Sequence, residues 1–287
     1  SKLKPDALLV LGDTNSSLSI IPAKRLKIPI FHMEAGNRCF DYNVPEEINR
    51  KIADHIADIN ICYTENSRRY LISEGFRKDH VITVGSPLFE VLKHFKKEIS
   101  ESNILKDLKI SPQKYILASI HREENLDIKN NLDNILKSLE EVGEKYSLPI
   151  IFSTHPRTKK KIKSKKIKTK GEINFIKPLG FFNYVKLQQN SFVTLSDSGS
   201  LIEESSILKF PAVSIRNSTE RPEGVDFGTI VLGNLDVDSI LQSVEIALNT
   251  SIKEIPNEYS RENVSDSIIK IIQGKTNVVN KEIWKKN

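Results

Sequence analysis

Sulfur and tryptophan are nearly absent: 287 residues hold two cysteines, one methionine and one tryptophan. Cys39 and Cys62 form neither a metal-ligand spacing nor a disulfide framework, so a reducing, cytoplasmic setting is expected, with no metal. No apolar run approaches the ~20 residues that cross a bilayer, which argues against membrane insertion. Arginine and aromatic residues are missing from the block 159–170, which holds eight lysines and supplies much of the formal net charge of +6. A nucleic-acid surface interleaves such residues with lysine. The block therefore reads as a solvated face, and no nucleic-acid partner is expected. With 38% hydrophobic and 28% charged residues, the chain suits one or two globular domains.

Short apolar runs alternate with helical periodicities from end to end. Strands are predicted at 7–11, 28–32, 59–62, 81–84, 115–119, 150–153, 173–176, 192–195, 212–215 and 230–232. Helices are predicted between them, at 45–57 and 129–146 for example. This alternation predicts an α/β fold with parallel sheets covered by helices on both faces. The continuous apolar run 7–11 suits a strand buried on both faces. The polar stretch 99–111 reads as a linker. It divides a first Rossmann-like domain, 1–98, from a second, 112–255, and the terminal helix and tail, 256–287, pack back on the first. The first residue is not methionine and a core strand begins by residue 7, so the chain is expected to open in mid-domain.

Polar residues gather where predicted strands end. The stretch 196–224 is the densest. After a buried strand, Asp197-Ser198-Gly199-Ser200 forms a tight turn into a helix. Free backbone N–H groups, the positive end of the helix dipole and a serine hydroxyl then converge on one point, which is the geometry that receives a phosphate. Glu203 and Glu204 lie one turn further on, and ribose hydroxyls are natural partners for one of them. The next strand leads to Arg216, Glu220, Arg221 and Glu223. Ligands of α/β sheets sit at the carboxyl ends of strands. Other strand ends carry Asp13, Glu34, and the pairs His121-Arg122 and His155-Arg157. Glu46 opens a helix in which Pro45 takes the first position. Asp13, Glu34 and Glu46 thus share one edge of one sheet, where carboxylates serve proton transfer. The plainer roles are capping for Asp13 and dipole complementation for Glu46.

Six motifs carry a resemblance. They are Gly12-Asp13-Thr14, Met33-Glu34-Ala35-Gly36, the run from Pro45 to Arg50, the run from His121 to Asn125, Ser196-Asp197-Ser198-Gly199 with Glu203-Glu204, and the run from Thr219 to Gly224. In this order the sequence resembles the non-hydrolysing UDP-N-acetylglucosamine 2-epimerases, a family of GT-B fold with two Rossmann-like domains facing a cleft. Arg38-Cys39-Phe40-Asp41, the run from Ser153 to Thr158 and Leu179-Gly180-Phe181-Phe182 look more like the branch that forms UDP-N-acetyl-L-fucosamine for capsule and O-antigen. The resemblance implies that a carboxylate removes the C2 proton and UDP leaves from C1. A 2-acetamidoglycal results, and UDP then re-adds as C2 is reprotonated on its other face, with no cofactor. It assigns Asp13, Glu34 and Glu46 to acid/base work and His121 to the leaving diphosphate. Ser198 and Arg221 fall to the phosphates, Glu204 to the ribose, Tyr184 to the uracil side, and Arg122, His155, Gly199 and Ser200 to further contacts with the UDP. A homodimer is implied as well. The family's opening loop, with its glycine and arginine, and its active-site lysine have no counterpart here, which makes an inactive fragment an expected possibility. Three other readings stay open: a GT-B glycosyltransferase, a hydrolysing epimerase that releases free sugar, and a lysine-rich nucleic-acid binder.

Overall fold

The computed structural model describes residues 4–165, 167, 169 and 171–286. Lys166, Lys168 and Lys170 of the lysine block lie outside the described residues. The chain divides into two compact units. The first comprises Ser1–Glu90, Glu220–Glu223 and Asn257–Asn287, and the second Val91–Thr219 and Gly224–Pro256.

The first unit is built on a four-stranded parallel sheet in sequential order: β1 (Leu8–Leu11), β2 (Ile30–Met33), β3 (Ile59–Cys62) and β4 (Val81–Thr83). Successive strand residues point to opposite faces, and the packing follows that alternation. Ile30 packs with Ile20, Ala23 and Ala53 on one face. Phe31, Ile59 and Ile61 pack on the other against Val264, Ile268 and Val279 of the terminal helix Val264–Glu282. This contact draws the tail into the first unit. β1 departs from the expectation of burial on both faces. It is covered on one face, where Leu8 and Val10 pack with Ile20, Ala23 and Ala53, while Leu9 and Leu11 on the other face are 43% and 59% exposed.

The second unit holds a six-stranded parallel sheet in the order β10-β9-β8-β5-β6-β7. Its strands are β5 (Ile116–Ser119), β6 (Ile150–Ser153), β7 (Ile173–Ile176), β8 (Val193–Ser196), β9 (Ala212–Ser214) and β10 (Val231–Leu232). Ile116, Ala118, Ile150 and Phe152 face the helices Asn131–Tyr146 and Val237–Asn249. Tyr115, Leu117 and Ile151 face Leu187 and Ile104 on the opposite side. The last contact corrects the reading of 99–111 as a linker. The segment carries the end of the helix Lys96–Glu101 and all of Ile104–Asp107, and Ile104, Leu105, Leu108 and Ile110 form an apolar set that closes this face of the sheet. Strand order reverses direction between β5 and β8, which places a crevice at their carboxyl ends.

Gly36 ties two elements of the first unit together. Its φ is +81°, and a Cβ there would stand 2.3 Å from the backbone oxygen of Ser67. Gly36→Ala adds left-handed strain of about 1–3 kcal/mol to an overlap costing about as much again. The expected result is a lower denaturant midpoint with an unchanged slope.

Candidate functional site

In the first unit, the carboxyl ends of β1 and β2 bring two acids together. Gly12 precedes Asp13 and turns with φ +72°. A Cβ at Gly12 would lie 3.1 Å from Glu34 Oε2, so the Glu34 carboxylate hangs over the turn that carries Asp13. Glu34 itself takes φ 64°, a conformation that non-glycine residues rarely adopt and that clusters at functional sites. Each acid has its own arginine. Arg50 donates to Asp13 Oδ2 from Nη2 at 2.7 Å and from Nε at 3.0 Å. Arg221 Nη2 donates to Glu34 Oε1 at 2.6 Å, and Asn37 Nδ2 donates to the same oxygen at 3.4 Å. Glu220 accepts from Arg221 Nη1 at 3.2 Å. Burial opposes the charge of Arg50, but Asp13, Glu220 and Glu47 more than offset it and hold its pKa above the usual value.

Glu46 and Glu47 are neighbours on the helix Pro45–Ile56 with opposite fates. Adjacent helical residues point about 100° apart. Glu47 is buried and accepts from the backbone N–H of Cys39 and Phe40 at 3.1 and 3.2 Å, and from Arg50 Nη1 at 3.2 Å. Burial pushes the Cys39 thiol up to about 11, so Cys39 stays protonated and donates to Glu47 at 3.2 Å. Glu46 is half-buried, one turn before Arg50, and makes no hydrogen bond or ion pair with the described residues.

In the second unit, β6, β5 and β8 are consecutive in the sheet and end in the segments that carry His155, His121 and Ser198. Asp197 joins two of these ends and was not singled out by the sequence reading. Its fully buried carboxylate accepts from the backbone N–H of His121 at 3.0 Å, from that of Arg122 at 2.9 Å and from Asn125 Nδ2 at 3.0 Å. His121 Nδ1 lies 3.3 Å from Asp197 Oδ1, and the His121 side chain is 38% exposed. Arg122 Nε donates to the Asp197 carbonyl at 3.2 Å. The His155 ring stands 6.0 Å from that of His121. His155 Nδ1 accepts from the Arg157 N–H at 3.3 Å, which leaves Nε2 as its donor.

Ser198, Gly199 and Ser200 form the turn into the helix Ser200–Leu208. Gly199 is the N-cap residue, and the hydroxyls of Ser198 and Ser200 are 2.9 Å apart. Glu204 is buried on that helix and accepts from Gln188 Nε2 at 2.5 Å. Burial, reinforced by Glu204, pushes the Tyr184 phenol up against the opposing effect of hydrogen bonds with Ser119 and Ser196. Ser198, His121, His155, Tyr184 and Glu204 therefore belong to one unit. Arg221, expected beside them, belongs to the other and is engaged by Glu34. Arg50 and Asp197 are the organising residues that strand-end reasoning passed over. The available signal was their place, since Asp197 is the first residue after β8 and Arg50 lies one turn after Glu46 and Glu47 on the same helix.

A family model described as UDP-N-acetylglucosamine 2-epimerase matches residues 1–273. The structure of UDP-N-acetylglucosamine 2-epimerase from Rickettsia bellii is similar, with 46% identity and a TM-score of 0.92 over 99% of this chain and 78% of that one. The UDP-GlcNAc 2-epimerase of Methanocaldococcus jannaschii, solved in complex with UDP-GlcNAc and UDP, is 36% identical with a TM-score of 0.89. That match covers 95% of this chain and 77% of that one. A UDP-2,3-diacetamido-2,3-dideoxy-D-glucuronate 2-epimerase from Pseudomonas aeruginosa is 34% identical over 88% of this chain and 70% of its own length.

Proposed function

The chain belongs to the UDP-N-acetylglucosamine 2-epimerase family, and from that premise we propose that it inverts C2 of a UDP-N-acetylhexosamine, converting UDP-GlcNAc to UDP-ManNAc. One observation carries the reading. The Glu34 carboxylate lies over the turn bearing Asp13, and each acid is held by its own arginine. Inverting a carbon takes a base on one face and an acid on the other; this edge supplies Asp13 and Glu34, and the helix Pro45–Ile56 adds Glu46, which has no partner among the described residues.

In the proposed sequence one carboxylate removes the proton from C2. The C1–O bond to UDP breaks as the C1–C2 double bond forms. The diphosphate then returns to C1 while a second carboxylate protonates C2 from the opposite face. His121 donates toward the departing diphosphate, and its backbone is fixed by Asp197. The Ser198-Gly199-Ser200 turn receives phosphate, joined by Arg122, with Glu204 for the ribose and His155 and Tyr184 for the rest of the nucleotide. Arg50 orients Asp13, and Arg221 holds Glu34 until substrate arrives.

The sugar itself has a second candidate. The Pseudomonas aeruginosa relative is named for a different acetamido sugar, so the family alone leaves the substituents open. The residues around Arg38 and Leu179 keep UDP-N-acetyl-L-fucosamine formation as the alternative. We place the enzyme in the cytoplasm as a homodimer that feeds capsule or O-antigen synthesis.

Incubation with UDP-GlcNAc in deuterated water tests the proposal. The expected result is deuterium at C2 and a second UDP-sugar by NMR. Free N-acetylmannosamine with UDP would point to a hydrolysing enzyme, and sugar transfer to an acceptor to a glycosyltransferase. UDP binding should weaken about tenfold or more in Ser198→Ala, since a hydrogen bond to a charged group contributes ~1.5–3 kcal/mol. Calorimetry with UDP checks it.

A further inference from the structure

Beneath the two acids lies a buried chain of charges that the proposed reaction does not use. His32 is 0% exposed, Asp54 0% and Arg38 1%. His32 Nδ1 meets Asp54 Oδ1 at 2.8 Å, and Nε2 meets the carbonyl oxygen of Gly12 at 3.0 Å. Asp54 also accepts from Arg38 Nη1 at 2.7 Å and from the Gly36 N–H at 3.2 Å. Arg38 closes the chain on Glu74 at 2.7 Å.

A carbonyl oxygen can only accept. A carboxylate that already receives a guanidinium and a backbone N–H is ionised and can only accept as well. Both ring nitrogens of His32 must then carry protons. We propose that His32 is a positioning residue, a doubly protonated imidazolium that sets the spacing between the loop carrying Asp13 and the loop carrying Glu34. One nitrogen holds the carbonyl one residue before Asp13. The other holds Asp54, which in turn holds the N–H of Gly36. His32 and Gly36 bracket Glu34, whose left-handed backbone needs such a restraint. His32 and Arg38 share the buried Asp54 carboxylate, and Arg38 finds its second anion in Glu74, whose side chain is 28% exposed.

The surroundings agree from every side. Glu34 follows the end of the same strand, Asp54 comes from the helix Pro45–Ile56, and β1 and β3 present only uncharged groups. On β3, Asn60 sits opposite His32 in the ladder and donates to the Asp54 carbonyl. Burial, then Asp54, push the neighbouring Cys62 thiol well above its usual range, which keeps it neutral. Burial alone would lower the His32 pKa, but Asp54, the Gly12 carbonyl and Glu34 raise it overall.

The inference rests on the epimerase reading for its catalytic consequence and on hydrogen bonding alone for the protonation state, so the two are tested apart. Histidine labelled with nitrogen-15 distinguishes a doubly protonated ring, and the spectrum of His32→Gln assigns the signal among the six histidines. At pH 8 both His32 nitrogens are expected to carry protons; a single protonated nitrogen titrating near the ordinary value would overturn the inference. In turnover, His32→Gln is expected to lose on the order of 10²-fold in kcat, the scale of a small misplacement of catalytic groups, with KM little changed. Wild-type kcat is expected to fall at alkaline pH as His32 deprotonates, and the variant to lack that limb. An unchanged kcat in a folded variant would also overturn the inference. Should the wild type not act on any UDP-sugar, the epimerase reading fails, and the nitrogen spectrum still decides the clamp.

Discussion

Asp13→Asn is expected to lower kcat for C2 inversion by roughly 10²–10⁴-fold, the contribution of a positioned general acid or base. Asparagine keeps the shape of the side chain and still offers an oxygen to Arg50, which now reaches Asp13 at 2.7 and 3.0 Å. It cannot accept and return a proton at neutral pH. Substrate affinity should therefore change little while exchange of the C2 hydrogen with solvent falls with kcat. Glu34→Gln is expected to behave in the same way. The adjacent pair on the next helix supplies the control. Glu46 has no partner among the described residues, so Glu46→Gln should lower turnover and leave stability alone. Glu47 is buried beneath the 39–40 loop and Arg50, so Glu47→Gln should lower stability instead. Rates by NMR and denaturant midpoints on the same four proteins decide it. Full activity in Asp13→Asn would remove that residue from proton transfer.

Asp54→Ala is expected to cost about 3–5 kcal/mol, the scale for removing one partner of a buried ion pair. It leaves Arg38 and His32 buried without the carboxylate that both contact at 2.7 and 2.8 Å. The deficit should depend on pH. The folded pKa of His32 is raised above its unfolded value of about 6.5. The His32–Asp54 contribution is therefore complete below about pH 6.5 and fades as pH rises through the folded value. The gap between wild type and variant should be widest in mild acid and narrow toward alkaline pH. Urea unfolding across that range measures it, and a gap that widened with pH would contradict a charged His32.

Much of the architecture could be read directly from residue order. The β-α alternation required parallel sheets, and polar residues do follow the strand ends of both. The division between Asp13, Glu34 and Glu46 in one unit and His121, His155 and Ser198 in the other follows from position along the chain alone. Where the reading failed, the cause was an apolar set too short or too irregular to recognise. Ile104, Leu105, Leu108 and Ile110 looked like part of a polar linker, yet they close one face of the second sheet. β1 looked buried on both faces because its run is continuous, yet only the face of Leu8 and Val10 is packed, and Leu9 and Leu11 are exposed.

Taken alone, the sequence determined the fold class, the family and which residue types stand at each strand end. These depend on spacing along the chain, and period and order are written there. Only the tertiary structure decided who pairs with whom. Arg50 reaches back 37 positions to Asp13, Arg221 reaches 187 to Glu34, and Asp197 gathers groups 72 to 76 positions away. A charged side chain takes its role from whatever partner burial leaves within 3 Å or so, and that distance exists only once the chain has folded.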